Sequence, residues 1–217
     1  MFAGLTALVG CASPPGPDPA TPAPTIPEDA VAYDEIKSLE SRPYPFAGDC
    51  SQFDADALRE LGLAGTSEAV DFSLQWCALD TAPSSPYAEV RVMVESPANP
   101  SVTRAFPTIW NGQVHSGYLR REILLDRYYA VEALSLAAGA SCDIVVDTGS
   151  PLAVRFSGAL SEQLGMSLAD RIRQPATLDV DPDEAESFMT EYCPRLRELT
   201  EGLLPMIDPN GGSLATQ

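Results

Sequence analysis

Residues 144–151 read Ile-Val-Val-Asp-Thr-Gly-Ser-Pro. A carboxylate followed by Thr-Gly-Ser could serve the chemistry of an aspartic-type hydrolase, in which two carboxylates share one proton and activate water. That chemistry needs a second, symmetric loop, which this sequence lacks and a homodimer could supply. It also needs a glycine-rich flap and a later apolar segment crossing beneath the loop. Downstream of Asp147 the chain instead reads Leu-Gly-Met-Ser-Leu-Ala-Asp-Arg-Ile-Arg-Gln at 164–174 and then opens a capped helix. The same residues also make a hairpin turn, with Gly149 free to take φ > 0. The turn explains them with fewer requirements, so no catalytic residue is assigned and a non-enzymatic protein is expected.

Other reactive side chains are equally well explained by structure. His115 is the sole histidine, and no nucleophile or orienting acid lies near it in sequence. Arg120-Arg121-Glu122 could hold an anion or be a solvated strand end. Ser51 beside Cys50 could be a nucleophile or a helix cap. Trp76 and Trp110 could line a pocket or pack in the core. No Walker-type loop and no GxGxxG occurs, so no nucleotide cofactor is expected. With one histidine and no Cys-x-x-Cys, no metal is expected either.

The cysteines say more. Of five, Cys50, Cys77, Cys142 and Cys193 form an even set that implies two disulfides in an exported chain. Three pairings are open; Cys50–Cys77 with Cys142–Cys193 is favoured. Chain-entropy arithmetic gives these loops roughly 3.6 and 4.1 kcal/mol. The fifth, Cys11, ends Leu8-Val9-Gly10-Cys11 after an apolar run from Met1. This resembles a bacterial lipobox, in which the chain is cut before the Cys and the thiol carries diacylglycerol. Residues 1–10 would then be a truncated signal peptide, since the apolar run is short and lacks a basic start. The alternative is a buried N-terminal Cys. A multiply acylated Cys11 would anchor the protein to the membrane, and no other stretch is apolar enough to span it.

The elements that must carry these groups can be read from pattern. Residues 11–33 hold the lipidated Cys and a Pro-rich spacer, too poor in apolar side chains to pack. A single domain is expected over 34–207, with 208–217 a disordered tail. Ser51 to Leu63 reads as a helix capped by Ser51. Val70 to Trp76 alternates as a strand burying Val70, Phe72, Leu74 and Trp76, with Cys77 on the opposite face towards a covering helix. Ala88 to Glu95 gives a second strand, hairpin-paired to the first. Phe106, Ile109 and Trp110 anchor a short helix in an irregular stretch. A third strand lies within Glu122 to Leu134, and two more flank Gly149, with Cys142, Ile144, Val146, Val154 and Phe156 inward. Asp181-Pro182 opens the last helix, which Pro194 should kink or break. The fold class is α+β: an antiparallel sheet of about five strands packed by an N-terminal and a C-terminal helix, with two disulfides.

The chain resembles a family of secreted actinobacterial lipoproteins with a domain of unknown function. The residues that carry the likeness are the Leu8–Cys11 box, the spacer, Asp49-Cys50-Ser51 with Leu61-Gly62, Trp76-Cys77, Cys142-Asp143-Ile144-Val145-Val146, and Cys193. The resemblance implies an α+β domain with helices against an antiparallel sheet, and brings no catalytic residues. The formal net charge of −18 disfavours nucleic acid and anionic surfaces as partners. The expected protein sits on the outer face of the cytoplasmic membrane, anchored through Cys11. It would act as a non-enzymatic binding or accessory subunit of an envelope protein complex. A lipid or small-ligand carrier is the alternative, with a pocket lined by Phe72, Leu74, Trp76 and Val146. A hydrolase using Asp147 is the third reading.

Overall fold

The computed structural model describes residues 42–47, 49–71, 74–95, 106–110, 118–137, 139–150, 152–173, 180–212 and 214. The signal segment, Cys11, the spacer, Phe72 and His115 lie outside them. A short 3-10 helix, Cys50–Gln52, leads into helix α1, Ala55–Glu60. Strands β1, Leu63–Asp71, β2, Leu74–Thr81, and β3, Tyr87–Glu95, form a meander. Helix α2 is Phe106–Trp110. A second meander comprises β4, Leu119–Leu124, β5, Tyr128–Ser135, β6, Ser141–Val146, and β7, Val154–Leu160. Helices α3, Glu162–Ile172, and α4, Pro182–Ile207, complete the chain.

The fold is α+β, but its one sheet has seven strands, in the order β1-β2-β3-β7-β6-β5-β4, where about five were expected. The two meanders meet where β7 returns to lie antiparallel to β3, with Val92 opposite Phe156. The two extra strands come from places where alternation misleads. Strands β1 and β2 pair with Asp71 opposite Leu74, so the alternating run at 70–76 spans both strands of a hairpin. The inward set on β2 is therefore Cys77 and Leu79, both fully buried, while Trp76 lies on the other face and is half-buried. In the stretch 119–135, Leu125 and Asp126 turn the chain with φ of 53° and 54°. Asp126 is a common residue at such positions but Leu125 is not, and without a glycine the sequence only weakly announces the β4–β5 hairpin. Strand β5 is buried on both faces, which removes its alternation.

Elsewhere the pattern reading holds. Cys142, Ile144, Val146, Val154 and Phe156 all face the main core, and Ile144 lies opposite Phe156. Phe106, Ile109 and Trp110 form a second, smaller core with Tyr129 and Val131 on the far face of the sheet. Both disulfides form as favoured: Cys50–Cys77 with Cα atoms 5.1 Å apart, and Cys142–Cys193 at 5.6 Å. The first ties the 3-10 helix to β2; the second ties α4 to β6.

Helix capping departs from expectation at the N-terminal end. Ser51 caps nothing; its amide donates to Asp49, and α1 is capped by Asp54, whose Oδ1 accepts from the amides of Asp56 and Ala57. At α4 the expected cap is present, with Asp181 Oδ1 accepting from Asp183 and Glu184. Helix α4 runs unbroken through Pro194 and Pro205. Both prolines are exposed, so the carbonyls they leave without an amide partner can be solvated on the outer side of the helix.

The chain also stays packed past residue 207, where a frayed tail was expected. Asp208, Gly211, Gly212 and Leu214 are buried. Leu214 N donates to Arg127 O at 2.8 Å and its side chain enters the second core, so the segment crosses from one face of the sheet to the other. Gly212 sits at φ +124°, and a Cβ there would meet Arg127 O at 2.4 Å. Only glycine fits so close to that carbonyl.

Candidate functional site

Asp147 is the residue the sequence puts forward, and its surroundings are those of a turn. Its amide donates to Tyr129 O, continuing the sheet one residue beyond β6. Its Oδ1 accepts from Gly149 N at 2.8 Å, and Gly149 takes φ +75°. Arg42 closes the turn from outside, donating to Thr148 O at 2.7 Å and to Asp208 Oδ1 at 2.9 Å. Burial pushes the Asp147 carboxyl up to about 6, opposed by the Gly149 amide and the Arg42 charge. The carboxylate is therefore spent on holding its own turn shut. Nothing among the described residues pairs it with a second aspartate as water activation requires.

The other sequence candidates disperse. Trp110 packs edge-on against Tyr129 at 5.3 Å, within the second core. Trp76 lies under Arg91, whose guanidinium is 5.9 Å from the ring centroid. Val146 faces the main core and Trp76 the opposite side of the sheet, so these two of the residues named for a carrier pocket do not converge. Arg121 does not point to an anion site: it donates to Trp110 O at 2.7 Å and stacks over that ring.

Arg120 and Glu122, by contrast, belong to a buried charge cluster, although in sequence they read as a solvated strand end. Alternation puts Arg120 and Glu122 of β4 on the same sheet face as Leu124, beneath α4, and register sets Arg120 opposite Glu132 of β5. Glu132 is 1% exposed, flanked across the sheet by Ile144. From α4 comes Arg197. Its Nη2 pairs with Glu122 Oε2 and lies 3.7 Å from Glu132 Oε2. Arg120 Nη1 approaches the same Glu132 oxygen at 3.5 Å, too long for a good hydrogen bond but close enough for charge. At the rim, Arg120 pairs with Glu186 and donates to Thr190 at 3.2 Å, while Tyr118 donates to Glu186.

This cluster is incompletely satisfied. Glu122 Oε1, Glu132 Oε2 and Arg197 Nε are buried without a hydrogen-bond partner. Burial, reinforced by the charge of Glu132, pushes Glu122 up to about 7, with Arg197 opposing. Burial also raises Glu132, against Arg197 and Arg120. Two largely buried carboxylates competing for the Arg197 guanidinium can hold a proton near neutral pH. No sequence motif marks them: Glu122 and Glu132 lie on neighbouring strands and their arginine on a distant helix. Among the described residues no group of three or more His, Cys, Asp and Glu side chains is arranged to hold a metal.

Two disulfides point to an oxidising, extracytoplasmic environment, and no described helix is long and apolar enough to cross a membrane. Comparison with protein-family models, with curated proteins and with solved structures gives no match, so the functional reading rests on the residues themselves.

Proposed function

We propose that this protein is an extracytoplasmic lipoprotein, anchored through a lipid on Cys11. It works as a non-enzymatic binding or accessory subunit of an envelope complex on the outer face of the cytoplasmic membrane. The observation that carries the reading is cysteine bookkeeping: the two disulfides use four of the five cysteines and leave Cys11, the one at the end of the lipobox. A thiol outside the disulfide framework of an exported chain needs a role, and acylation supplies one. The Pro-rich residues 12–27 would then act as an extended spacer between bilayer and domain. The binding role is favoured over catalysis because Asp147 is committed to its turn.

The test is fractionation of cells carrying Cys11→Ser. The substituted protein should leave the membrane fraction for the medium, with its disulfides and thermal midpoint unchanged. Membrane retention of the variant would remove the anchor from the proposal. Crosslinking of the anchored protein in intact cells should then give one dominant membrane complex, whereas co-purified lipid with no protein partner would favour the carrier.

A further inference from the structure

Several elements packed around Glu122 and Glu132 shape their charge environment. Strand β4 and the residue before it supply Tyr118 and Arg120. Strand β5 supplies Glu132 itself. Helix α4 supplies Glu186, Thr190, Arg197 and Glu201, the last acting on Glu122 through its charge. Strand β3 brings Tyr87, whose hydroxyl donates to Tyr192 O at 2.5 Å, and strand β6 presents only the apolar Ile144 beside Glu132. Four carboxylates thus face two arginines. Both inner carboxylates reach the same nitrogen, Arg197 Nη2, which cannot fully satisfy either. Each also has an oxygen buried without a hydrogen bond.

We propose that Glu122 and Glu132 form a one-proton acid pair that couples the surrounding pH to how tightly helix α4 holds the β4–β5 hairpin. With the proton bound, one carboxyl is neutral and the other keeps the arginines to itself. With the proton lost, two like charges remain on largely buried side chains and weaken the hold of α4 on the hairpin. The direction comes from linkage. The pair is more protonated folded than unfolded between the ordinary glutamate value, 4.5, and about 7. Stability therefore falls as pH rises through that window and is level above it. The site acts as a brake released by alkalinity.

The experiment uses the full chain with both disulfides formed. Carbon-13 NMR of labelled glutamate carboxyls should show one group in the wild type titrating near neutral pH, absent from Glu122→Gln. On raising pH from 5.5 to 8, the wild-type thermal midpoint should fall by roughly 5 °C more than that of Glu122→Gln. Hydrogen-exchange protection factors, corrected for the base-catalysed intrinsic rate, should fall in α4 and β4–β5 over the same range before they do in β1–β3. If Glu122→Gln does not fold, Glu132→Gln is the second variant: removing the neighbouring charge should lower the Glu122 midpoint by about one pH unit. Wild-type glutamates that all titrate below pH 5.5 would overturn the proposal. So would a midpoint for Glu122 that ignores Glu132→Gln.

Discussion

The Asp147 turn and the Glu122–Glu132 pair are both buried acid sites next to arginine, and burial raises the acids in both. They differ in what the backbone does. At Asp147 the chain folds back so that its own amide, Gly149 N, faces the carboxylate, and Arg42, paired to Asp208, adds only a secondary charge. At Glu122 and Glu132 the strands are extended and their amides belong to the sheet. The carboxylates can turn only to side chains, and there are too few. A motif that looks catalytic is thus a self-contained turn, and a pair that looks like surface charge is the chemically unusual place. Local backbone geometry, not residue type, decides which buried acid is quiet.

The largest effect expected from disturbing this contrast comes from Cys142→Ser with Cys193→Ser. That bond fixes α4 on β6, next to the strand bearing Glu132. Its removal should cost about 4 kcal/mol in denaturant titration. It should also flatten the pH dependence, because a looser α4 admits water to the pair and shrinks the burial that raises its acids. An unchanged pH slope would separate the pair from the hold of α4. Next comes Gly149→Val, which forces a β-branched residue to φ +75°. A loss of about 2 kcal/mol is expected by the same titration, with no change of pH slope between 6.5 and 8. The smallest is Asp147→Asn. The amide oxygen still accepts from Gly149 N, so stability at pH 7 should be within about 1 kcal/mol of wild type. Since burial raises the Asp147 carboxyl from 3.8 to about 6, the variant should lose the fall in stability that the wild type shows as pH rises between those values. Loss of function at unchanged stability in Asp147→Asn would make the turn a catalytic candidate again.

Which parts of the molecule are legible in advance obeys the same division. Strands β3 and β7 are legible because each buries one set of alternate residues, as Val90 and Val92 do; β6 is buried on both faces and is legible only as a short apolar run ending at the Gly149 turn. Helix α4 is legible from the Asp181-Pro182 cap and its repeating apolar positions. Helix α3 is not, because its inward face includes Gly165, which looks like a breaker. Gly165 in fact lets the helix approach the chain at Ala140, whose amide donates to Gly165 O at 2.8 Å. The β1–β2 hairpin is hidden because alternation carries across its tip, and β5 because both its faces are covered. The charge pair is hidden for a deeper reason. Its members meet only through register and through α4, and sequence spacing carries neither.

The Arg42 contacts have a mechanical consequence. Tension applied to the chain ahead of residue 42 would first load the guanidinium where it grips Thr148 O and Asp208, across the end of the sheet. Behind these contacts the load passes to Phe46, fully buried in the main core against Phe53. The last stop is Cys50, covalently joined to Cys77 in the body of β2. Beyond it, force enters the sheet at an interior point of its second strand rather than peeling a terminal strand.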